Sequence, residues 1–570
     1  MSRISFNGKV LREPRAASRL QIGLPPSVNP NATNRVLVIG SSSGGLAVAD
    51  QHVYTFNSAL EAAAVLRSGD SLRAIGMIFN PSSDFPGAAQ VDFIRADDVT
   101  AGTATLVDGS AGNTLLFTSV DKGVWVNGIQ VSVAADITVN RKLTVKINSP
   151  HIQTGTDAVL TSSSGYFIES ATALFITKGA RIGDSISISG QVLPHQGVFT
   201  IKAIISETKV QITETPNATT GTGLTWYHFV YGRVLTSPSI AQNGDTSNPN
   251  QGLINWVAAN FSDVLVASQV AAGAWVGATT APQNLTGGTV ANQTTTTNIT
   301  AALTLANDLN VQHIYVAKAC GTQGGETDFA GLISGHILND AEVPAIGYVG
   351  GTTSLSIANA LTYAGVINNG KMAYCYQTVI ESTIDGLSTE VLGAYFLAAR
   401  ICGLEAGLLP QTPATRKSVA IRGIQINPTD GKLTRALREQ LLAGGVLHVF
   451  QMPGTTPFIV NQDVTTLQKQ DALWDPTTAT ASVIQLNRIT DNLLYSLKSS
   501  ADNAFIGSVG IPKSVVENYV RSYLQSNVGE LIADYRNIIV TQVADTWNIG
   551  FSFIPSYSVS YILVTGIIVG

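Results

Sequence analysis

Between residues 252 and 402, apolar strands and helices alternate, and this alternation restricts the possible folds more than any other feature of the sequence. Apolar residues at helical spacing predict four helices, at 299–307, 328–339, 355–364 and 388–403. Apolar segments with the length of buried strands follow the first three helices, at 313–317, 343–349 and 372–376. Strands that are joined through helices pair in parallel. The sequence therefore predicts an α/β region with a largely parallel sheet.

An earlier segment predicts one more strand of this kind. Residues 36–39 are all apolar, as in a strand that is covered on both faces, and a glycine-rich loop follows at 40–45. Ser58 and Glu61 have the spacing of a capping box, which predicts a helix at 59–67.

The chain from about 91 to 231 has the alternation of apolar and polar residues that is typical of strands. Within it, short strands and turns at 163–231 predict a small β-barrel or β-sandwich. Ser-rich and Thr/Gly-rich segments flank this unit, so we expect a peripheral domain that is inserted at an exposed loop.

The C-terminal part predicts a mixed α/β domain. The predicted helices are at 434–443, 489–500 and 515–526, and the predicted strands at 482–486, 537–543 and 549–554. In the helix at 515–526 the residues at helical spacing on one face are Val515, Val516, Tyr519, Val520, Tyr523 and Leu524. The opposite, polar face carries Glu517, Asn518, Arg521 and Gln525.

Both ends of the chain contain a segment with the pattern of an isolated strand. The residues on the apolar faces of these two segments are Ile4, Phe6 and Val10, and Tyr557, Val559, Tyr561 and Leu563. An isolated strand leaves its backbone donors and acceptors unpaired, so it must add to the edge of a sheet. That sheet belongs either to another subunit or to the same subunit, and the pattern leaves both alternatives open.

The composition indicates a surface that is largely covered by other protein. Only 12% of the residues are charged, about half of the ~25% that is typical of soluble proteins. The net charge of −5 is small for this length and argues against a nucleic-acid partner, because binding of nucleic acid needs clustered Lys and Arg. The apolar stretch at 561–570 is too short to span a bilayer, and the N-terminus has no apolar core of a signal peptide. Cys320, Cys375 and Cys402 are expected to be buried, unpaired thiols.

The sequence predicts no catalytic, cofactor or metal site. Residues 40–44 match G-x-S-x-G with Ser42 in the nucleophile position, but the predicted helix begins only at residue 59, too late for a nucleophile elbow. His336 and Ser354 only approximate the motifs of a subtilisin-type site, and no suitable acid precedes His336. No two histidines have the spacing of metal ligands.

Several stretches, in this order and spacing, resemble the contractile tail sheath family of bacteriophages and related injection particles. They are 36–45 with 58–69, Leu-Thr-Gly-Gly at 285–288, 416–423, 441–446, 487–499, 506–507, 520–524 and the closing strands. The resemblance implies a subtilisin-like α/β sheath domain without the protease triad and a mixed α/β C-terminal domain. It also implies inserted outer β domains and extended N- and C-terminal arms.

The resemblance implies the following division of the chain. The segments are an N-terminal arm (1–23), the N-terminal part of the sheath core (24–95), an outer β-rich region (96–240), the α/β sheath domain (241–415), a C-terminal domain next to the tail tube (416–554) and a C-terminal arm (555–570).

The resemblance also implies a function. Such subunits form stacked six-membered rings around a tail tube, and their contraction drives the tube through the host envelope. The implied partners are other copies of the chain, the tail tube protein, and the baseplate and tail terminator proteins, with no nucleic acid and no insertion into a membrane. The protein is expected in the virion, after synthesis in the host cytoplasm.

Two groups of residues are candidates for contacts in such an assembly. Ile4, Phe6 and Val10 would exchange strands between subunits with Tyr557, Val559, Tyr561 and Leu563, and the polar face of the helix at 515–526 would contact the tube. Two other interpretations remain, a cryptic serine hydrolase that uses Ser42 or Ser354 and a β-rich adhesin or carbohydrate-binding protein.

Overall fold

A computed structural model gives the fold of the chain. It describes residues 4–6, 9–11, 34–136, 139–148, 153–176, 180, 184–189, 197–213, 215–216, 220–229, 231–270, 274–290, 295–320, 328–341, 343–382, 389–452, 454, 457–467, 481–544 and 546–556. None of the helices in these ranges is both long and apolar enough to cross a membrane.

The helices in the described ranges are α1 (Ala59–Leu66), α2 (Asp70–Phe79), α3 (Gln251–Phe261), α4 (Thr296–Leu305), α5 (Asp328–Asn339), α6 (Ile357–Ile367), α7 (Ala394–Gly407), α8 (Arg435–Ala443), α9 (Ile484–Phe505) and α10 (Lys513–Ser526). The strands are β1 (Ile4–Phe6), β2 (Lys9–Leu11), β3 (Arg35–Gly40), β4 (Tyr54–Phe56), β5 (Gln90–Arg95), β6 (Val99–Val107), β7 (Asn113–Lys122), β8 (Gln130–Asp136), β9 (Asn140–Asn148), β10 (Gln153–Ser162), β11 (Tyr166–Glu169), β12 (Ser185–Ser189), β13 (Gly197–Ser206), β14 (Lys209–Ile212), β15 (Gly221–Phe229), β16 (Tyr231–Thr236), β17 (Leu265–Gln269), β18 (Gln283–Asn284), β19 (Thr289–Val290), β20 (His313–Ala319), β21 (Ile346–Gly350), β22 (Met372–Cys375), β23 (Thr378–Ser382), β24 (Thr389–Leu392), β25 (Ser418–Val419), β26 (Gly423–Gln425), β27 (Val449–Gln451), β28 (Phe458–Val460), β29 (Ile532–Val543) and β30 (Thr546–Pro555).

A six-stranded sheet with the order β22-β21-β20-β3-β5-β4 forms the centre of the α/β region. All neighbours are parallel except β4, which is antiparallel to β5. The apolar side chains of α1, α2 and α7 cover one face of the sheet, and those of α4, α5, α6 and α8 cover the other. Because both faces are covered, strands such as β3 can consist of consecutive apolar residues. The predicted, largely parallel sheet is confirmed.

The start of the predicted helix at 388–403 is wrong. Residues 389–392 form β24, which pairs antiparallel with β23, and α7 begins only at Ala394. Thr389 and Val391 are β-branched and favour the strand. The predicted strand at 482–486 is also wrong in its second half, because α9 begins at Ile484.

The compact β unit that the sequence predicts at about 163–231 is a closed barrel with the order β10-β11-β14-β13-β12-β15. It begins at Gln153, before the predicted boundary, and encloses Phe175 and Trp226 in a core of its own. The barrel follows β9 and precedes β16, and these two strands are antiparallel neighbours in which Asn148 lies opposite Tyr231. The chain therefore leaves and re-enters the adjoining sheet at adjacent positions.

That adjoining unit consists of two four-stranded sheets, β16-β9-β8-β18 and β17-β7-β6-β19. Its core contains Phe117 and Trp125 together with Phe261 of α3. Helix α3 and strands β17 to β19 thus pack with the β-rich region, although the sequence placed residues from 241 onward in the α/β domain.

The last part of the described chain combines α9 and α10 with a hairpin of β29 and β30. Ile484, at the start of α9, packs in the core of the α/β region, whereas Leu493 and Leu497 pack against α10 and the hairpin. Helix α9 therefore connects the two units.

We predict that the barrel can be removed without unfolding the remainder. In the variant, Asn-Gly replaces residues 149–230, so that a two-residue turn joins β9 directly to β16. Because the barrel has a separate core, we expect the helical circular dichroism to persist and the thermal midpoint to change by only a few degrees.

The control replaces 163–231, the boundaries that the sequence suggested. This deletion leaves β10 without its neighbours, so the product should aggregate. If both replacement variants folded equally well, or both aggregated, the barrel boundaries taken from the structure would be wrong.

Candidate functional site

The hairpin of β29 and β30 has two open edges. Its strands pair from Ile532 with Pro555 to Val543 with Thr546, and neither strand pairs with a further strand of the described chain. Ile539 and Val543 are 61% and 64% exposed. A two-stranded sheet is marginally stable by itself, and open edges readily accept further strands. The hairpin is thus a candidate acceptor for an added strand.

A groove of about 850 Å³ lies between this hairpin and the helices. Its walls come from the C-terminal half of α9, from the beginning of β30 and from the loop at 506–511. Trp547, Ile549 and Phe551 of β30 are only half-buried along it, and Leu494 of α9 is 47% exposed. A strand that is added beside β30 would cover these apolar side chains.

Helix α10 presents a polar face as predicted. Val516, Val520 and Leu524 are buried, whereas Asn518 and Arg521 are exposed. Val515, which the sequence placed on the apolar face, is 47% exposed, so this part of the prediction is wrong because the helix packs on a narrower face.

The other two predicted contact residues of α10 have partners within the chain. Glu517 lies 3.4 Å from Lys513 in an ion pair, and the Tyr535 hydroxyl donates a hydrogen bond of 3.1 Å to Gln525. The second contact ties α10 to β29. A contact of this face with a tube stays a prediction.

The two terminal segments are described only in part. The backbone at β1 and β2 forms an antiparallel hairpin in which Ile4 lies opposite Leu11 and Ser5 opposite Val10. The N-terminal candidates Ile4, Phe6 and Val10 therefore lie on two short strands instead of one. The C-terminal candidates, which are Tyr557, Val559, Tyr561 and Leu563, lie outside the described residues.

Buried ionic groups hold α9 on the α/β region. Arg488 of α9 donates to Glu405 of α7 over 2.7 Å and to the carbonyl of Leu408 over 2.7 Å, and the Glu405 side chain is fully buried. At the start of the helix, the N–H of Ile484 donates to the backbone carbonyl of Asp463, and the N–H of Gln485 donates to the Asp463 carboxylate. These groups satisfy donors that the first turn of a helix cannot satisfy by itself.

A second ion pair, on the next turn of α9, joins Asp491 to Lys371 over 2.6 Å. None of these contacts between α9 and the α/β region was predicted from the sequence. A weak signal was present only at Glu405, the one acidic residue of the mostly apolar helix α7.

Burial raises the pKa of Glu405 from 4.5 to about 7, although the Arg488 guanidinium acts in the opposite direction. The folded state therefore binds the proton of Glu405 more tightly than the unfolded state does. The stability that this group contributes is fully present below about pH 4.5 and is lost as the pH rises through about 7.

We predict that Glu405→Gln removes this pH dependence. We expect the free energy of unfolding in urea, taken for the variant relative to wild type, to rise by on the order of 3 kcal/mol between pH 4.5 and 7.5. The control is Glu439→Gln, at an exposed pair with Arg435, which should follow the wild-type curve. If the stability difference between wild type and Glu405→Gln were the same at every pH, Glu405 would not be the group that titrates.

The two serines of the hydrolase alternative are not arranged as nucleophiles. Ser42 is 3% exposed, and its hydroxyl donates to the carbonyl of Gly44 over 2.7 Å. Ser354 is exposed in a left-handed turn with φ of 57°. Within the described ranges no hydrogen bond joins either serine to a histidine, and no group of three or more His, Cys, Asp or Glu side chains could hold a metal ion.

The buried histidines have structural partners. His313 lies 3.2 Å from the Tyr348 hydroxyl, and burial holds its pKa well below the usual value. Burial also lowers the pKa of His448 to about 4, and its ring contacts Val446 and Asn461. Cys320, Cys375 and Cys402 are buried and form no disulfide bond with one another.

Comparisons with known proteins agree with the predicted resemblance. No family model matches the chain. A protein of Enterococcus phage phiEF24C with the name "Putative tail sheath protein" is 24% identical over 563 residues, which cover 93% of this chain and 92% of that protein.

Two solved structures are also similar to the chain. The crystal structure of a sheath tail protein from Desulfitobacterium hafniense has a TM-score of 0.55 at 12% identity and covers 95% of this chain and 99% of that one. A sheath tail protein from Listeria innocua has a TM-score of 0.48 at 12% identity, over 92% and 98% of the two chains. The resemblance to tail sheath proteins is confirmed, and the first of these structures shows that the fold is shared.

Proposed function

We propose that this chain is a structural subunit of a contractile tail sheath. It would polymerise into stacked hexameric rings around a tail tube, and contraction would drive the tube through the host envelope. The similarity to a phage protein along nearly the whole of both chains supports the proposal, as does the shared fold. The observation that carries it is the hairpin of β29 and β30, whose two open edges suit the attachment of strands from other subunits.

The terminal arms are the proposed occupants of these edges. Ile4 and Phe6 are two residues apart, as are Tyr557, Val559 and Tyr561, so each arm presents an apolar face when extended. A strand from one arm beside each edge, which is β1 for the N-terminal arm, would extend the hairpin into a larger sheet. The apolar face of the strand beside β30 would fill the groove along α9, where Leu494 and Trp547 are incompletely covered.

This arrangement explains how rings could move without separating. The anchor of Arg488 and Glu405 keeps the hairpin on a rigid body, while the connections between subunits consist of extended chain. The extended sheath would store free energy in interfaces that differ between the two states. The α/β domain, subtilisin-like in this proposal, would be scaffolding without catalysis, since no histidine of the described residues is hydrogen-bonded to Ser42 or Ser354.

The other partners follow from the same proposal. They are the tail tube along the inside, with the baseplate and tail terminator proteins at the two ends. The barrel would face outward and be dispensable for polymerisation. The protein would be made in the host cytoplasm and become part of the virion.

We predict that α10 contributes the contact with the tube. Glu517→Lys with Arg521→Glu should greatly reduce sheath assembly on purified tubes, because complementary charges across an interface become repulsive. The matched control is Arg435→Glu with Glu439→Arg on α8, another exposed pair of opposite charges. Normal assembly of the α10 variant, measured by sedimentation with tubes, would remove this helix from the interface.

Electron microscopy of the purified protein tests the proposed function itself. Wild type should form tubes or other ordered polymers. Deletion of residues 1–23 should leave a folded monomer or small oligomer that forms no long sheaths, because the N-terminal strand that would connect one subunit to the next is missing. Normal-length sheaths would rule out the arm as an essential link, and global unfolding would show that it completes its own subunit's sheet.

A further inference from the structure

A second groove, separate from the C-terminal hairpin, lies beyond the carboxyl end of β22. Its volume is about 580 Å³. Residues 376–378 form its floor, and the strands β26 and β27 with their adjoining loops form its two walls. We call it the basic groove, because Lys432 and Arg438 line it.

Both walls are strands at the edges of small sheets. Strand β26 pairs only with β23, and β27 only with β28, within the described chain. At Val449 of β27, the side-chain amide of Gln377 takes the place of a neighbouring strand, since it accepts from the backbone N–H over 2.6 Å and donates to the carbonyl over 2.8 Å. Within the described residues β26 is the edge strand of its sheet, and strand edges of this kind accept an extended backbone.

The lining between the two edges is mainly apolar. The apolar residues that line it are Leu355, Ile357, Ile424, Ile426, Phe450 and Phe458. Ile426 is 50% exposed. Tyr376 is only 7% exposed and lines the same groove, and its hydroxyl has no hydrogen-bond partner among the described residues. A lining that is mainly apolar but contains one hydroxyl suits an incoming strand on which apolar and polar side chains alternate.

The rim is positively charged, although the chain as a whole carries a net charge of −5. Between 416 and 438 the basic residues are Arg416, Lys417, Arg422, Lys432, Arg435 and Arg438, against the single acidic residue Asp430. Lys432 and Arg438 line the groove, and the Arg416 and Arg438 guanidinium groups both stack on Phe450.

These three cations have no carboxylate partner in the described part of the chain. No carboxylate there lies within 4 Å of Arg416, Lys432 or Arg438. Asp430 also lines the groove, and its Oδ2 accepts a hydrogen bond of 2.8 Å from the N–H of Ile357, the first residue of α6.

We propose that the basic groove binds an extended, acidic segment of a different protein, which adds to β26 and places its carboxylates against Lys432, Arg438 and Arg416. Charge argues against the chain's own arms, because the N-terminal segment carries Arg12, Arg15 and Arg19 and residues 557–570 carry no charged side chain. The proposal goes beyond the exchange of arms between subunits and does not depend on it.

The test uses fluorescence anisotropy of a labelled peptide, Glu-Val-Thr-Val-Thr-Val-Glu, with full-length protein. We expect saturable binding at low salt and weaker binding of Lys-Val-Thr-Val-Thr-Val-Lys. The difference should shrink in about 0.5 M salt because exposed charges are then screened. Methylation of alternate peptide nitrogens should abolish binding, because it removes the donors that pair with an edge strand.

Variants locate the site. Lys432→Glu with Arg438→Glu should weaken binding of the acidic peptide about tenfold and favour the lysine peptide. Arg435→Glu is the matched control, since this side chain is 85% exposed on the same helix and lies outside the lining. Because Lys432 is exposed, the single variant Lys432→Glu gives the same test if the double variant does not fold.

Several results would overturn the proposal. They are the absence of saturable binding, equal affinity of the double variant, and tighter binding of peptides 1–23 or 557–570, which would make the groove an acceptor for the chain's own arms. Binding of decanoate but not of the peptide would instead indicate a site for small amphipathic anions. Sheath formation is measured separately, so none of these results decides the proposed function.

Discussion

The contact between α7 and α9 determines how the C-terminal unit of α10 and the hairpin is joined to the α/β region. Helix α7 is buried under the central sheet along nearly its whole length, and its one carboxylate, Glu405, meets Arg488 across the joint. Burying two charges away from water costs free energy unless each charge has hydrogen-bonding partners. Arg488 has a second partner, the carbonyl of Leu408. The position of α9, and with it that of α10 and the hairpin, depends on this arrangement.

A buried ion pair of this kind specifies geometry more than it adds stability. Apolar packing tolerates small rotations of one helix on another, whereas a guanidinium that must reach both a carboxylate and a carbonyl allows few orientations. Asp463 adds a further restriction, because it holds the first backbone N–H groups of α9. Such a joint fixes the orientation of the C-terminal unit more closely than a less directional apolar contact would.

The features that the sequence predicted are those set by neighbours along the chain. Residues 36–39 indicate a strand with both faces covered because all four are apolar, and the capping box of Ser58 and Glu61 places the start of α1 correctly. The features that it did not predict depend on distant residues. Glu405 and Arg488 are 83 positions apart, and β24 is a strand because β23 lies beside it.

In the candidate sites, too, local features were predictable and features that depend on distant residues were not. The two strands of the hairpin were predictable from their alternation, but their open edges and the groove along α9 arise only when the helices are in place. The polar face of α10 was predictable from helical spacing, except for Val515. The basic residues between 416 and 438 were visible in the sequence, but their position around one groove was not.

The pairing of Asn148 with Tyr231 has a consequence for how chains of this kind can diversify. Because the barrel is attached through two adjacent strands, the remainder of the molecule meets it as if it were an ordinary hairpin turn. Any autonomous domain with neighbouring termini could occupy this position without shifting the register of β9 and β16. The chain could thus acquire a new surface by exchange of one module, while the fold to which the module is attached keeps its dimensions.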